Sequence, residues 1–190
     1  MRRLLLAILL IGPVWAQDLA PIAVQSTERN GHLYFSAQFS VPVAKSLAFA
    51  VLSDFEHMSE FMPNMSSSKV LSRKANRWVV QQEGQLQLGL LSWSLNSTRE
   101  IELIGLDEIV AHSLDTQQGA FSSRMQLRQQ AQSTTMSYAA DWQPASGWMA
   151  SLGKQYVQQQ MQQQFAAMQK EMLRRSKMQL ASAPQIEVAR

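Results

Sequence analysis

The sequence predicts an α+β domain. One curved antiparallel sheet of about seven strands packs on a long C-terminal helix, with two short helices after the first strand. Three observations carry this reading. First, apolar residues after Val157 recur in steps of four, four, three and four, through Met161, Phe165, Met168 and Met172. That spacing puts them on one face of a helix over residues 147–177. About thirty residues at ~1.5 Å each make a rod of roughly 45 Å, as long as a small domain is wide. Second, Leu33, Phe35, Ala37, Phe39 and Val41 alternate with polar or exposed-type neighbours, the pattern of a half-buried strand. Third, residues 69–143 form successive strand-like runs joined by short breaks, which argues for antiparallel hairpins. The helix has an apolar stripe to cover, and the strands before it are the available partner.

Taken in order, the chain opens with Arg2 and Arg3, an apolar run over 4–11, the helix-breaking Pro13 and the small-residue site Val14-Trp15-Ala16. These are the parts of a secretory signal peptide cleaved after Ala16; the run falls well short of the ~20 residues a membrane span needs. The expected location is therefore periplasmic or secreted. Cleavage would lower the formal charge from +3 to +1, because Arg2 and Arg3 leave with the peptide. The basic balance is then no argument for nucleic acid, and no Lys/Arg-rich stripe supports one. The chain has no cysteine, which removes thiol chemistry, Cys-based metal sites, a lipoprotein anchor and disulfides.

Residues 17–30 read as a polar, flexible lead-in before the strand at 32–41. Residues 42–54 are helix-like, with Val43, Leu47, Ala50 and Val51 on one side. Residues 55–63 suggest a second short helix ended by Pro63. Residues 64–68 read as a polar loop. Strand-like runs follow at 69–74, 77–86, 88–103, 108–116, 119–130 and 134–143, with turn-like breaks between them. Residues 178–190, with Pro184, read as a disordered tail.

At this order of elements the chain resembles the START / polyketide-cyclase / coenzyme Q-binding (SRPBCC) superfamily, whose fold is the helix grip. Residues 39–55 are similar to that family's opening segment, a strand running into a helix that ends in the pair Asp54-Phe55. Phe61-Met62-Pro63 matches the aromatic-x-Pro ending of the short helix after it, and residues 66–71 the next strand. Leu95-Asn-Ser-Thr-Arg99 is similar to a mid-sheet strand of the coenzyme Q-binding branch. Gly119-Ala-Phe121 stands where that branch commonly has Gly-Pro-Phe. The run 122–130 departs from that branch's aromatic strand. The resemblance spans residues 31–177. It implies an apolar cavity between the sheet and the long helix and a hydrophobic small-molecule partner: a lipid, an isoprenoid or quinone, or a polyketide. It leaves peripheral membrane contact and catalysis open, since only some branches catalyse.

The expected cavity lining is Trp78, Trp93, Leu95, Arg99, Phe121, Met125, Met136, Tyr138 and Trp142 from the strands. Val80, Leu91 and Leu127 share that face. The helix supplies Leu152, Tyr156, Met161, Phe165 and Met168. Methionine-rich walls adapt to irregular ligands, although the same set also suits a filled core. Arg99 shares a strand face with Trp93, Leu95 and Ile101. Turned inward, it meets a ligand's headgroup or carbonyl; near the strand's open end, it pairs with Glu83, Glu100 or Glu102. His57 and Glu60, three apart, are at most one edge of a metal site, with no cluster to complete it, so no metal or cofactor is expected. No nucleophile elbow, phosphate-cradling loop or acid/base pair is visible. The function this supports is non-catalytic binding of a hydrophobic small molecule. A cyclase/aromatase-like enzyme using Tyr138 or Arg99, and an envelope interaction module with a collapsed pocket, are the alternatives. The glutamines at 158–160 and 162–164 read as a solvated helix flank.

Overall fold

The second strand shows how the sheet is made. Leu33, Phe35, Ala37, Phe39 and Val41 of β2 (His32–Val41) are all buried, while Tyr34, Ser36, Gln38 and Ser40 between them are exposed. The computed structural model describes residues 20–88 and 91–182, with side chains at all of these except 86–88, 91–93, 95 and 147–153. The signal-peptide segment and residues 183–190 lie outside the described residues.

Eight strands form one sheet in the order β1-β2-β8-β7-β6-β5-β4-β3, every neighbour antiparallel. The additional strand is β1 (Val24–Arg29), inside the segment expected to be a flexible lead-in. Asn30 and Gly31, at φ 53° and 78°, make the two-residue turn that folds it back on β2. Of its side chains only Val24 is buried, so β1 carries no apolar alternation to announce it.

After β2 come α1 (Lys45–Leu52), one 3-10 turn (Phe55–His57) and α2 (Met58–Phe61). Met62 is extended, at ψ 129°, as the residue before Pro63 must be. The next strand, β3 (Met65–Lys74), includes Ser66, Ser67 and Ser68, expected to be loop. Ser68 is buried and accepts a bond from Gln82 Nε2 at 3.3 Å, so a polar strand start is satisfied within the sheet. The remaining strands are β4 (Arg77–Leu88), β5 (Leu91–Ile104), β6 (Glu108–Ser113), β7 (Gly119–Gln130) and β8 (Ser133–Pro144).

The long helix, α3 (Gly147–Ser182), runs five residues beyond Lys177. Nothing between Lys177 and Ser182 breaks a helix; the first breaker is Pro184. No helix among the described residues is long and apolar enough to cross a membrane. Met161, Phe165 and Met172 are buried on the concave face of the sheet. Phe165 wedges between Phe39 and Tyr138, at ring-centroid distances of 5.1 and 5.0 Å.

The glutamines of α3 also bind the sheet, against the expectation of a solvated flank. Ser26 Oγ of β1 donates to Gln158 Oε1 at 3.0 Å, and Gln158 Nε2 donates to the Val24 carbonyl. Gln169 Nε2 reaches the Ser40 carbonyl at 3.3 Å. On the opposite flank Asn64 Nδ2 donates to Gln160 Oε1 at 3.1 Å. Asn64 can lie there because β4 has Gly84 beneath it: a Cβ at Gly84 would sit 2.5 Å from the Asn64 carbonyl.

Candidate ligand-binding cavity

A cavity of about 610 Å³ lies between the concave face of the sheet and α3. Register explains how its wall is built. Paired residues of antiparallel strands share a face, so Val80, Arg99 and Ser113 form one row across β4, β5 and β6. The Phe121 N–H donates to Ser113 Oγ at 2.9 Å, and Phe121 in turn pairs with Trp142, so the row continues into β7 and β8. One row towards the end of the sheet that carries the start of α3 stand Gln82 and Ser97, with Asn96, Asp115 and Gln118 near them on the wall. One row the other way stand Ile101 and Ala111, then Ile109, Met125 and Tyr138. The cavity therefore has a polar rim, an apolar floor and Arg99 at the waist.

The remaining wall comes from the segment between α1 and β3. Leu52, Phe55, Met58 and Met62 face the cavity, opposite Met161, Phe165 and Met168 of α3. This segment fills the gap between the sheet edge at β3 and α3. At its far end Asp54 Oδ2 pairs with Arg175 at 2.7 Å, Arg175 also pairs with Glu171, and Glu171 takes two bonds from Arg174. Two guanidinium groups on a nearly buried carboxylate hold Glu171 down to about 2, Arg174 contributing most and burial opposing. Burial works against Asp54, yet bonds from His57 and Arg175 leave it below the usual carboxylate range. His57 Nδ1 lies 2.6 Å from Asp54 Oδ1, so its partner is a carboxylate of the same turn, and its proton affinity is raised accordingly. Among the described residues no group of three or more His, Asp or Glu side chains could hold a metal.

Arg99 is half-buried, and its accessible surface faces the cavity. Burial pushes its guanidinium down from the usual arginine value. Its Cζ lies 5.2 Å from the centroid of Phe121. Among the described residues it forms no ion pair. Glu102 pairs with Arg77 instead, and neither Glu83 nor Glu100 comes within ion-pair distance. Beside it Tyr138 is half-buried, and its desolvation pushes its hydroxyl up, with Ser123 and the Arg99 charge acting the other way.

Of the residues expected on the lining, the structure brings together Arg99, Phe121, Met125, Tyr138, Trp142, Tyr156, Met161 and Phe165. Trp78 shares their sheet face but is covered by Phe55, ring centroids 5.9 Å apart, and lies off the cavity wall. Met136 is fully buried and pairs with Phe39 in the solid core below the floor. The side chains of Trp93, Leu95 and Leu152 lie outside the described residues. The described side chains leave this space open. Among the wall residues that sequence reasoning missed are Leu52, Phe55, Met58 and Met62. They come from the end of α1, the 3-10 turn, α2 and the extended Met62, so no single helical period marks them.

A family model described as "Polyketide cyclase / dehydrase and lipid transport" matches residues 41–169, more than half of the chain. The chain belongs to that family. No curated protein sequence matches it. Among solved structures, an aromatase/cyclase from a Streptomyces species, Zhui, superposes with a TM-score of 0.65 at 14% identity, covering 82% of this chain and 99% of that one. A START superfamily protein from Mycobacterium smegmatis gives 0.64 at 14% identity, covering 76% and 99%. Human STARD10 gives 0.59 at 14% identity, covering 88% and 79%. At these identities the likeness is one of fold. The family's helix grip is the architecture described above, with eight strands where about seven were expected.

Proposed function

We propose that the protein is an exported carrier that holds one hydrophobic small molecule in this cavity without transforming it. The observation that carries the reading is the open space of about 610 Å³ over an apolar floor of methionine, isoleucine and phenylalanine. That volume suits one drug-sized ligand, and its flexible methionines suit an irregular apolar body. The family description, which joins polyketide cyclases with lipid transport, is consistent with it. Export is supported by the basic and apolar segments preceding Ala16.

Native mass spectrometry of the protein purified from the periplasm tests both parts. The expected result is a chain beginning at Gln17 with a solvent-extractable adduct of lipid-like mass. A protein retained in the cytoplasm with its first residues intact would end the export reading. An empty protein that also fails to bind lipophilic dyes would end the carrier reading. Tyr138 and Arg99 together in the cavity favour a second reading, cyclase-type chemistry on a polyketide. Turnover lost in Tyr138→Phe would establish it.

A further inference from the structure

We propose that the ligand of this cavity is a monoanion: an apolar body carrying one acidic oxygen group, a carboxylate or an acidic phenol or enol, held by Arg99. The inference rests on the carrier reading and adds the ligand's charge, its number of acidic groups and its orientation.

A partly enclosed guanidinium without a partner is costly. Removing such a charge from water costs several kcal/mol even after relaxation, and its five N–H donors need acceptors. Arg99 is half-buried with its accessible surface on the cavity, and no carboxylate among the described residues meets its guanidinium. The Phe121 ring at 5.2 Å offers a π face but no acceptor. Of the two carboxylates on the cavity wall, Asp115 accepts the Gln117 N–H at 2.9 Å, and Glu83 is not bonded to Arg99. The guanidinium remains charged at any physiological pH. The acceptor it lacks can arrive with a ligand.

The surroundings limit what that ligand is. Arg99 is the only Lys or Arg among the described residues of the wall, so one negative charge is matched and a dianion such as a phosphomonoester is not. Tyr138 and Ser123 add hydroxyls on the same side, and the half-buried Tyr138 keeps its proton, so it is a donor. Below the waist the wall is mostly apolar, with Ile101, Ala111, Ile109, Met125, Phe165 and Met168; Ser123 in the row of Ala111 and Tyr138 in the row of Met125 are its polar side chains. The acidic group therefore sits at the Arg99 row, the apolar body points to the floor, and any further polar group lies at Gln82 and Ser97.

Two matched pairs of probes test this by fluorescence displacement of a lipophilic dye at pH 8: palmitate against hexadecanol, and emodin against its fully O-methylated ether. The wild-type protein should prefer the acidic member of at least one pair on the order of tenfold. Which pair shows the preference separates a carboxylate from a phenol or enol. Arg99→Met should bring the ratio towards one, and Arg99→Lys should keep part of it. Equal affinity within both pairs, or a preference that survives Arg99→Met, overturns the proposal while leaving the carrier reading intact if the neutral members bind. If neither the dye nor any probe binds, both fall. The wild-type comparison decides the matter even if Arg99→Met does not fold.

Discussion

Between Phe165 and Arg175, α3 buries Met172 completely and sets Glu171 between two guanidinium groups. Between Tyr156 and Gln164 the same helix buries only Met161 and otherwise meets its neighbours through neutral amides: Gln158 on β1 and Gln160 on Asn64. The first half is held by burial and charge inside the structure, the second by hydrogen bonds that water can replace. Each such bond contributes only about 0.5–1.5 kcal/mol net. The cavity follows the same division, with its apolar floor beside the first half and its polar rim beside the second. On the carrier reading, a ligand exchanging through the rim would displace amide bonds and leave the packed end untouched.

The largest test of this division is Met172→Ala. Truncating a fully buried methionine should cost about 2–5 kcal/mol, seen as a lower urea midpoint with an unchanged slope. Gln158→Ala should cost about 1 kcal/mol. Equal losses for the two variants would erase the distinction between the halves of α3.

Glu171→Gln probes the charge at the packed end. It leaves Arg174 largely exposed and Arg175 still paired with Asp54, so the expected loss is about 1–2 kcal/mol rather than the larger cost of a deeply buried pair. It also predicts a pH signature. The folded-state value near 2 lies below the ordinary carboxylate value, so Glu171 contributes stability above about pH 4.3, and that contribution is lost as pH falls towards 2. The stability of Glu171→Gln should fall less steeply with acid across this window. Parallel curves for the two proteins would remove Glu171 from the acid response.

Most of this division was legible before any coordinates. The steps from Val157 to Met172 gave the helix face, and the alternation in β2 gave the face it packs on, because burial imposes a period on sequence. The same parity put Arg99 on the face of Ser97 and Ile101, but left open whether it turned inward to a ligand or paired with Glu83, Glu100 or Glu102. What stayed hidden lacked a period. β1 is polar along nearly all its length and is fixed by an Asn-Gly turn and by pairing with β2, so residues 24–29 looked like linker. Gln158 and Gln160 looked solvated because a glutamine bonded to a backbone carbonyl and one bonded to water have the same local sequence. The wall from Leu52 to Met62 was read as a helix pair at one end of the sheet. Its role as a side of the cavity depends on β3 being the sheet edge, a fact of topology.

The amide-held half predicts a kinetic effect larger than its energetic one. Gln160→Ala removes the tie to Asn64, and Gln158→Ala the tie to β1. Stopped-flow release of a lipophilic dye should speed up several-fold in each, in keeping with about 1 kcal/mol per bond, while thermal midpoints move little. Release accelerated by Met172→Ala but not by these two variants would place the exit at the packed end.

The smallest expected effect lies at His57, at the outer end of the segment that closes the cavity's side. Its Nδ1 bond to Asp54 and the charge of Asp54 raise its proton affinity, Glu60 adds to this, and Arg175 opposes it. The linkage runs opposite in sign to that of Glu171. A raised folded-state value means the contribution is complete below the unfolded histidine value near 6.5 and fades as pH rises through the folded one. With 58% of its side chain exposed, His57 is well screened, so the signal is a titration shift rather than a change in midpoint. An NMR titration should place His57 above its ordinary value in the wild type and return it there in Asp54→Asn. Because Asp54 also holds Arg175, the same variant should loosen the segment carrying Phe55 and Met58 and quicken dye release slightly. An unshifted His57 in the wild type would detach it from that ion pair and leave Arg175 alone as the link between this segment and the packed end of α3.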